Sequence, residues 1–99
     1  MDITVRNNSS LPNKFVRFIK WKLYQASDRF DALHYARVFL KQEGNSSPDY
    51  ILQIKLGVPG KDIILADQDK DPGVLMNRFS KSLYRYLRKK KEKEIKKGI

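Results

Sequence analysis

Ninety-nine residues, 40% of them hydrophobic, supply enough apolar side chain for one compact core and not for two. Lysine and arginine number 21 against 11 aspartates and glutamates, a formal net charge of +10, which points to a polyanionic partner, either nucleic acid or an anionic membrane surface. Without cysteine there is neither a disulfide framework nor a thiolate metal site, and without a basic-then-apolar leader or an apolar run near the ~20 residues that span a bilayer, the expected location is the cytoplasm.

Ile3 and Val5 alternate with polar residues, so the chain is expected to open on a short strand that Asn7-Asn8-Ser9-Ser10 then interrupts as a turn. From about Pro12 to Arg29 the period changes. Phe15, Ile19, Leu23, Ala26 and Phe30 recur at spacings of four, four, three and four, which places them on one helical stripe. Leu33 to Gln42 alternates again, with Ala36, Val38 and Leu40 on one side of the pleat and Tyr35, Arg37, Phe39 and Lys41 on the other. A polar turn from Glu43 to Asp49 leads to a third strand whose Tyr50, Leu52, Ile54, Leu56 and Val58 share a side. Val58-Pro59-Gly60-Lys61 suits a tight reverse turn into a hairpin partner at Asp62 to Ala66, because proline presets φ and glycine tolerates a positive one. Asp71-Pro72 then signals a helix start: the carboxylate accepts from free backbone N–H groups, and proline at the first helical position loses only an unpaired donor. Leu75, Met76, Phe79, Leu83, Tyr86 and Leu87 form the apolar stripe of this last helix, and Lys90 ends it. The order β-α-β-β-β-α predicts an α+β two-layer sandwich, with two helices on one face of a four-stranded, mainly antiparallel sheet.

Charge gathers on the second helix. Between Arg78 and Lys97 stand ten lysines and arginines against Glu92 and Glu94. Arg78, Lys81, Arg85, Arg88 and Lys89 fall opposite the apolar stripe, and from about residue 88 to 99 a basic extension is expected to outrun the core. A few cations would complement the helix dipole and maintain solubility; a stripe of five repels itself unless anions relieve it. On the first helix Lys14, Arg17, Lys20, Lys22 and Arg29 face Asp28, with Trp21 and Tyr24 on the polar side. Such rings can stack on unpaired bases, cap the edge of a small core or contact another protein. The Tyr35, Arg37, Phe39 and Lys41 face lacks the glycine-aromatic pattern of the RNA-recognition module, so ordinary cross-strand packing is the better reading.

Asp67-Gln68-Asp69-Lys70-Asp71 has the opening carboxylate spacing of a calcium loop, but Pro72 stands where glycine is needed and Arg78 where a bidentate glutamate is needed, so no metal is expected. His34 is the sole histidine, and neither a glycine-rich phosphate cradle nor a serine nucleophile motif occurs; no enzyme activity, cofactor or small-molecule substrate is expected.

Leu83-Tyr84-Arg85-Tyr86-Leu87-Arg88-Lys89-Lys90-Lys91-Glu92-Lys93 resembles the last-helix ending of the ribosome hibernation promoting factor family, also known as sigma-54 modulation or ribosome-associated inhibitor proteins. Ile3-Thr4-Val5-Arg6, Lys22-Leu23, Arg29-Phe30-Asp31 and Val58-Pro59-Gly60 support the resemblance, which runs through most of the chain. It implies a fold like that of double-stranded RNA-binding domains and one ribosome-binding domain over residues 1–99. The implied partner is the small ribosomal subunit and its rRNA, between head and body where mRNA and tRNA would lie, and not a membrane. By position, the implied rRNA contacts are Lys22, Arg29, Lys81, Arg85, Arg88, Lys89 and Lys91. The chain resembles the family's short form, which implies a monomer off the ribosome, and it departs from the family in carrying Phe18, Trp21 and Tyr24 on the first helix. Modulation of a transcription (sigma) factor through a protein-docking surface, and general binding of double-stranded RNA, are the alternatives.

Overall fold

The computed structural model describes residues 1–44, 46–60 and 62–97, with the side chains of the last helix described as far as Lys89. Six elements follow one another: β1 (Asp2–Asn8), α1 (Asn13–Arg29), β2 (Tyr35–Glu43), β3 (Asp49–Gly57), β4 (Ile63–Asp69) and α2 (Pro72–Lys97). The strands form one sheet in the order β1-β2-β3-β4. β1 pairs parallel with β2, Ile3 opposite Ala36 and Val5 opposite Val38, because α1 returns the chain across the sheet between them. β2, β3 and β4 form an antiparallel meander. The expected α+β sandwich is the observed one.

Alternation decides which side of the sheet is covered. Ala36, Val38 and Leu40 of β2, Leu52, Ile54 and Leu56 of β3, and Leu65 of β4 point to one face and are buried there. Against them pack Ile19, Leu23 and Ala26 of α1 and Leu75, Met76, Phe79, Leu83 and Leu87 of α2, in a single cluster. Both helices therefore lie on the same face and touch each other, α1 towards β1 and α2 towards β3 and β4. Phe15 and Phe30 sit half-buried at the rim of this core.

Several expected boundaries move. β1 continues through Asn7 and Asn8, which pair with Leu40 and Lys41, so the turn starts only at Ser9. Asn7 closes that turn by accepting from the Ser9 N–H at 3.1 Å and donating to the Leu11 carbonyl at 3.3 Å. β4 runs from Ile63 to Asp69 and so extends three residues beyond Ala66, because Asp67, Gln68 and Asp69 find ladder partners in Leu52, Ile51 and Tyr50. Tyr86, expected on the buried stripe, is 47% exposed. It lies to one side of the stripe, beside Ile64, Ala66 and Ser82, where β4 is already the edge of the sheet and nothing further covers the ring.

Two local signals act as expected. Gly60 has φ +89° in the bend after β3, as its place in the expected reverse turn requires; Lys61, the last residue of that turn, lies outside the described residues. The Asp71 carboxylate accepts from the N–H groups of Gly73 at 2.8 Å and Val74 at 3.3 Å, capping the free donors of α2. Replacing Asp71 with alanine should cost about 1 kcal/mol and lower the melting temperature by ~4–8 °C in a calorimetric scan.

A glycine allows a further contact. Tyr35 is the cross-strand partner of Gly57, and a Cβ at that glycine would overlap the tyrosine ring. The ring lies over the bare backbone while its hydroxyl donates to Asp62 at 3.0 Å. Gly57→Ala should therefore displace Tyr35 and destabilise the protein by about 1–3 kcal/mol, read as a lower urea midpoint at unchanged slope.

Candidate nucleic-acid interface

The helix pair that builds the core also builds a basic cleft. Tyr84 stands at the border of the buried stripe on the α1 side of α2, where its ring meets Phe30 at a centroid distance of 6.4 Å and the Arg29 guanidinium at 5.9 Å. Lys81, Arg85, Arg88 and Lys89 surround the same tyrosine and line an open depression of about 400 Å³. Arg29, Phe30, Tyr84 and Arg88 line a second of about 390 Å³. Because Tyr84 and Arg88 belong to both, the two are ends of one groove, and Arg29 of α1 joins the α2 stripe across it.

Lys22 precedes Arg29 by seven residues, two helical turns, and so lies on the same side of α1 roughly 10 Å further along. Its ammonium group sits over the rings of Trp21, at 5.0 Å, and Phe18, at 5.8 Å. Of the seven predicted contacts, Arg29, Lys81, Arg85, Arg88 and Lys89 converge on the groove and Lys22 flanks it. Lys91 lies outside the described side chains.

Arg78 does not join them. Its Nε donates to Asp67 at 2.8 Å, and its Nη2 reaches Asp67 at 3.1 Å, Asp69 at 2.9 Å and the Gln68 carbonyl at 3.0 Å. The carboxylates that resemble the start of a calcium loop thus hold an arginine, and the clamp ties the end of β4 to α2. Arg78 is removed from the basic stripe by the same contacts.

The remaining cations of the stripe have no such neighbour among the described residues. Among the described residues the ion pairs are Lys55 with Asp62 and Arg78 with Asp67 and Asp69, so no described carboxylate neutralises Lys22, Arg29, Lys81, Arg85, Arg88 or Lys89. Lys81–Arg85, Arg85–Lys89 and Arg85–Arg88 are like-charge pairs at helical contact spacing, each destabilising by about 0.2–0.5 kcal/mol. An anion in the groove relieves that repulsion, and the arginine forks match phosphate oxygens bidentately.

The open face of the sheet behaves differently. Arg6 lies over Phe39 at 5.9 Å, Arg37 over Tyr35 at 5.3 Å, and Lys55 pairs with Asp62 at 3.6 Å. Arg6 and Phe39 pack across the β1–β2 pair, as the sequence predicts, while Arg37 and Tyr35 are neighbours within β2, and these residues lie on the face of the sheet away from the helices.

No protein-family model and no curated protein sequence matches the chain. Solved structures do match. The Thermus thermophilus Protein Y N-terminal domain superposes with a TM-score of 0.60 at 18% identity, covering 87% of this chain and 99% of that one. The chain shares its fold. A ribosomal subunit interface protein from Coxiella burnetii superposes with a TM-score of 0.51 at 15% identity, covering 87% of this chain and 97% of the other. At these identities the likeness is one of architecture, and the chemistry of the groove rests on this chain's own residues.

Periodicity alone passes over Tyr84. It belongs neither to the apolar stripe nor to the cations, and its significance comes from Arg29 and Phe30, more than fifty positions earlier. The available signal is its spacing: three residues after Lys81 and four before Arg88, it lies between the two members of the stripe that lean towards α1.

Proposed function

We propose that this chain is a non-enzymatic, ribosome-binding translation inhibitor, in which the groove between α1 and α2 engages the phosphate backbone of small-subunit rRNA where mRNA and tRNA would otherwise lie. One observation carries the reading: cations from two helices converge around Tyr84 with no carboxylate among the described residues that line the groove, in a fold shared with Protein Y's N-terminal domain and a ribosomal subunit interface protein. Lys22, Arg29, Lys81, Arg85, Arg88, Lys89 and Lys91 are the proposed contacts. The helices are held by a common core, so the helix positions that carry the described cations are set before binding, and groove shape rather than base sequence is what they select. Occupying the channel excludes the translation ligands, and no bond need be made or broken.

Binding through phosphates displaces counterions. With about five phosphates neutralised, log affinity for purified small subunits should fall against log salt with a slope of roughly −4. A flat salt response, or no binding at low salt, would remove the proposal. The inhibition itself is read in a cell-free translation reaction, where added protein should lower synthesis in proportion to subunit occupancy.

A further inference from the structure

We propose that the outer face of α1 is a second RNA site, which binds single-stranded RNA by stacking unpaired bases on Trp21 and Tyr24. The inference goes beyond the groove between the helices and does not depend on it.

The core face of α1 is complete without these rings: Val16, Ile19, Leu23 and Ala26 are buried, while Trp21 is 54% and Tyr24 51% exposed. Arg17, Trp21 and Tyr24 follow one another at spacings of four and three, so they form a stripe on the solvent side. The indole is braced rather than loose. Phe18 packs against it at a tilt of 55° with centroids 6.3 Å apart, and Lys22 lies over the ring at 5.0 Å. With the cation on one side and more than half the residue open to solvent, a base can stack on the ring without first ordering it.

Charge around the rings selects an anionic strand. Lys14, Arg17 and Lys20 stand on this helix with Asp28 as its only acid, and among the described residues none of the three is in an ion pair. Aromatic rings among unneutralised cations are what single-stranded nucleic acid needs, a π-face for each base and positive charge along the backbone. A duplex keeps its bases paired and presents no free face to stack. An anionic bilayer would need an apolar helix face to insert, and that face of α1 is buried against the sheet.

Trp21 is the only tryptophan in the chain, so its emission reports this site directly. Titration with a ten-residue oligouridylate at low salt should quench it saturably, whereas an RNA duplex of equal length should not. Tyr24→Ala should weaken oligouridylate binding roughly 5- to 150-fold, the effect of one lost stacked base. Trp21→Ala, followed by anisotropy of a labelled oligonucleotide, should do the same. Small-subunit affinity of Tyr24→Ala should stay within about two-fold, which separates this site from the groove. Equal quenching by the duplex, affinity unchanged in both variants, or blue-shifted emission with phosphatidylserine vesicles but no response to oligouridylate would each overturn the proposal.

Discussion

Exchanging Arg85, Arg88 and Lys89 together for glutamate is expected to lower affinity for small ribosomal subunits by at least ~1000-fold. A hydrogen bond to a charged group is worth about 1.5–3 kcal/mol net, and three lost at the low end make about 4.5, roughly three decades of affinity. Repulsion between the new carboxylates and phosphate adds to this. Since Arg85, Arg88 and Lys89 are exposed and unpaired among the described residues, thermal unfolding should change little. Filter binding or sedimentation with purified subunits measures the first quantity and calorimetry the second. Retained binding at low salt would show that the groove is not the contact.

Leu83→Ala is expected to have the opposite pattern. Leu83 is completely buried, in the cluster that α2 shares with α1 and the sheet. Truncation there leaves a cavity that close-packed neighbours fill only partly, and the cost should be 2–5 kcal/mol. For a domain of this size that corresponds to a melting temperature lower by ~10–30 °C. Well below that temperature the cations keep their places, so subunit affinity should remain within a few-fold of the parent chain. The two substitutions separate the scaffold from the surface it carries: one removes affinity at constant stability, the other stability at nearly constant affinity.

The elements were legible because their periods are clean. Ile19, Leu23 and Ala26 repeat every three or four residues, and Ala36, Val38 and Leu40 every two, and each set is buried as its period requires. The caps were equally local: Asp71 reaches donors only two and three residues ahead. What escaped depends on residues distant in the chain. Tyr86 has a plausible helical phase, yet its burial depends on how far the sheet extends beneath it, and β4 is the last strand. Arg78 shares the phase of the basic stripe, but Asp67 and Asp69, brought alongside by the turn from β4 into α2, draw it aside. For the site, the cations were legible as charge on a helix face. Their assembly across the helix pair through Tyr84 was not, because no periodicity in α2 encodes the position of Arg29.

The parallel pairing of β1 with β2 sets a timetable for folding during synthesis. Asp2 meets Tyr35, and β2, the single strand that β1 pairs with, is separated from it in the chain by α1, so the strand must wait until α1 and then β2 have been made. At ~5–20 residues per second that delay is roughly two to seven seconds, long compared with the microseconds in which the β2–β3–β4 hairpins can close once available. The first strand of the nascent polypeptide is thus an unpaired edge for seconds. Its Asp2, Thr4, Arg6, Asn7 and Asn8 are polar, which keeps that edge a poor template for aggregation with neighbouring nascent chains.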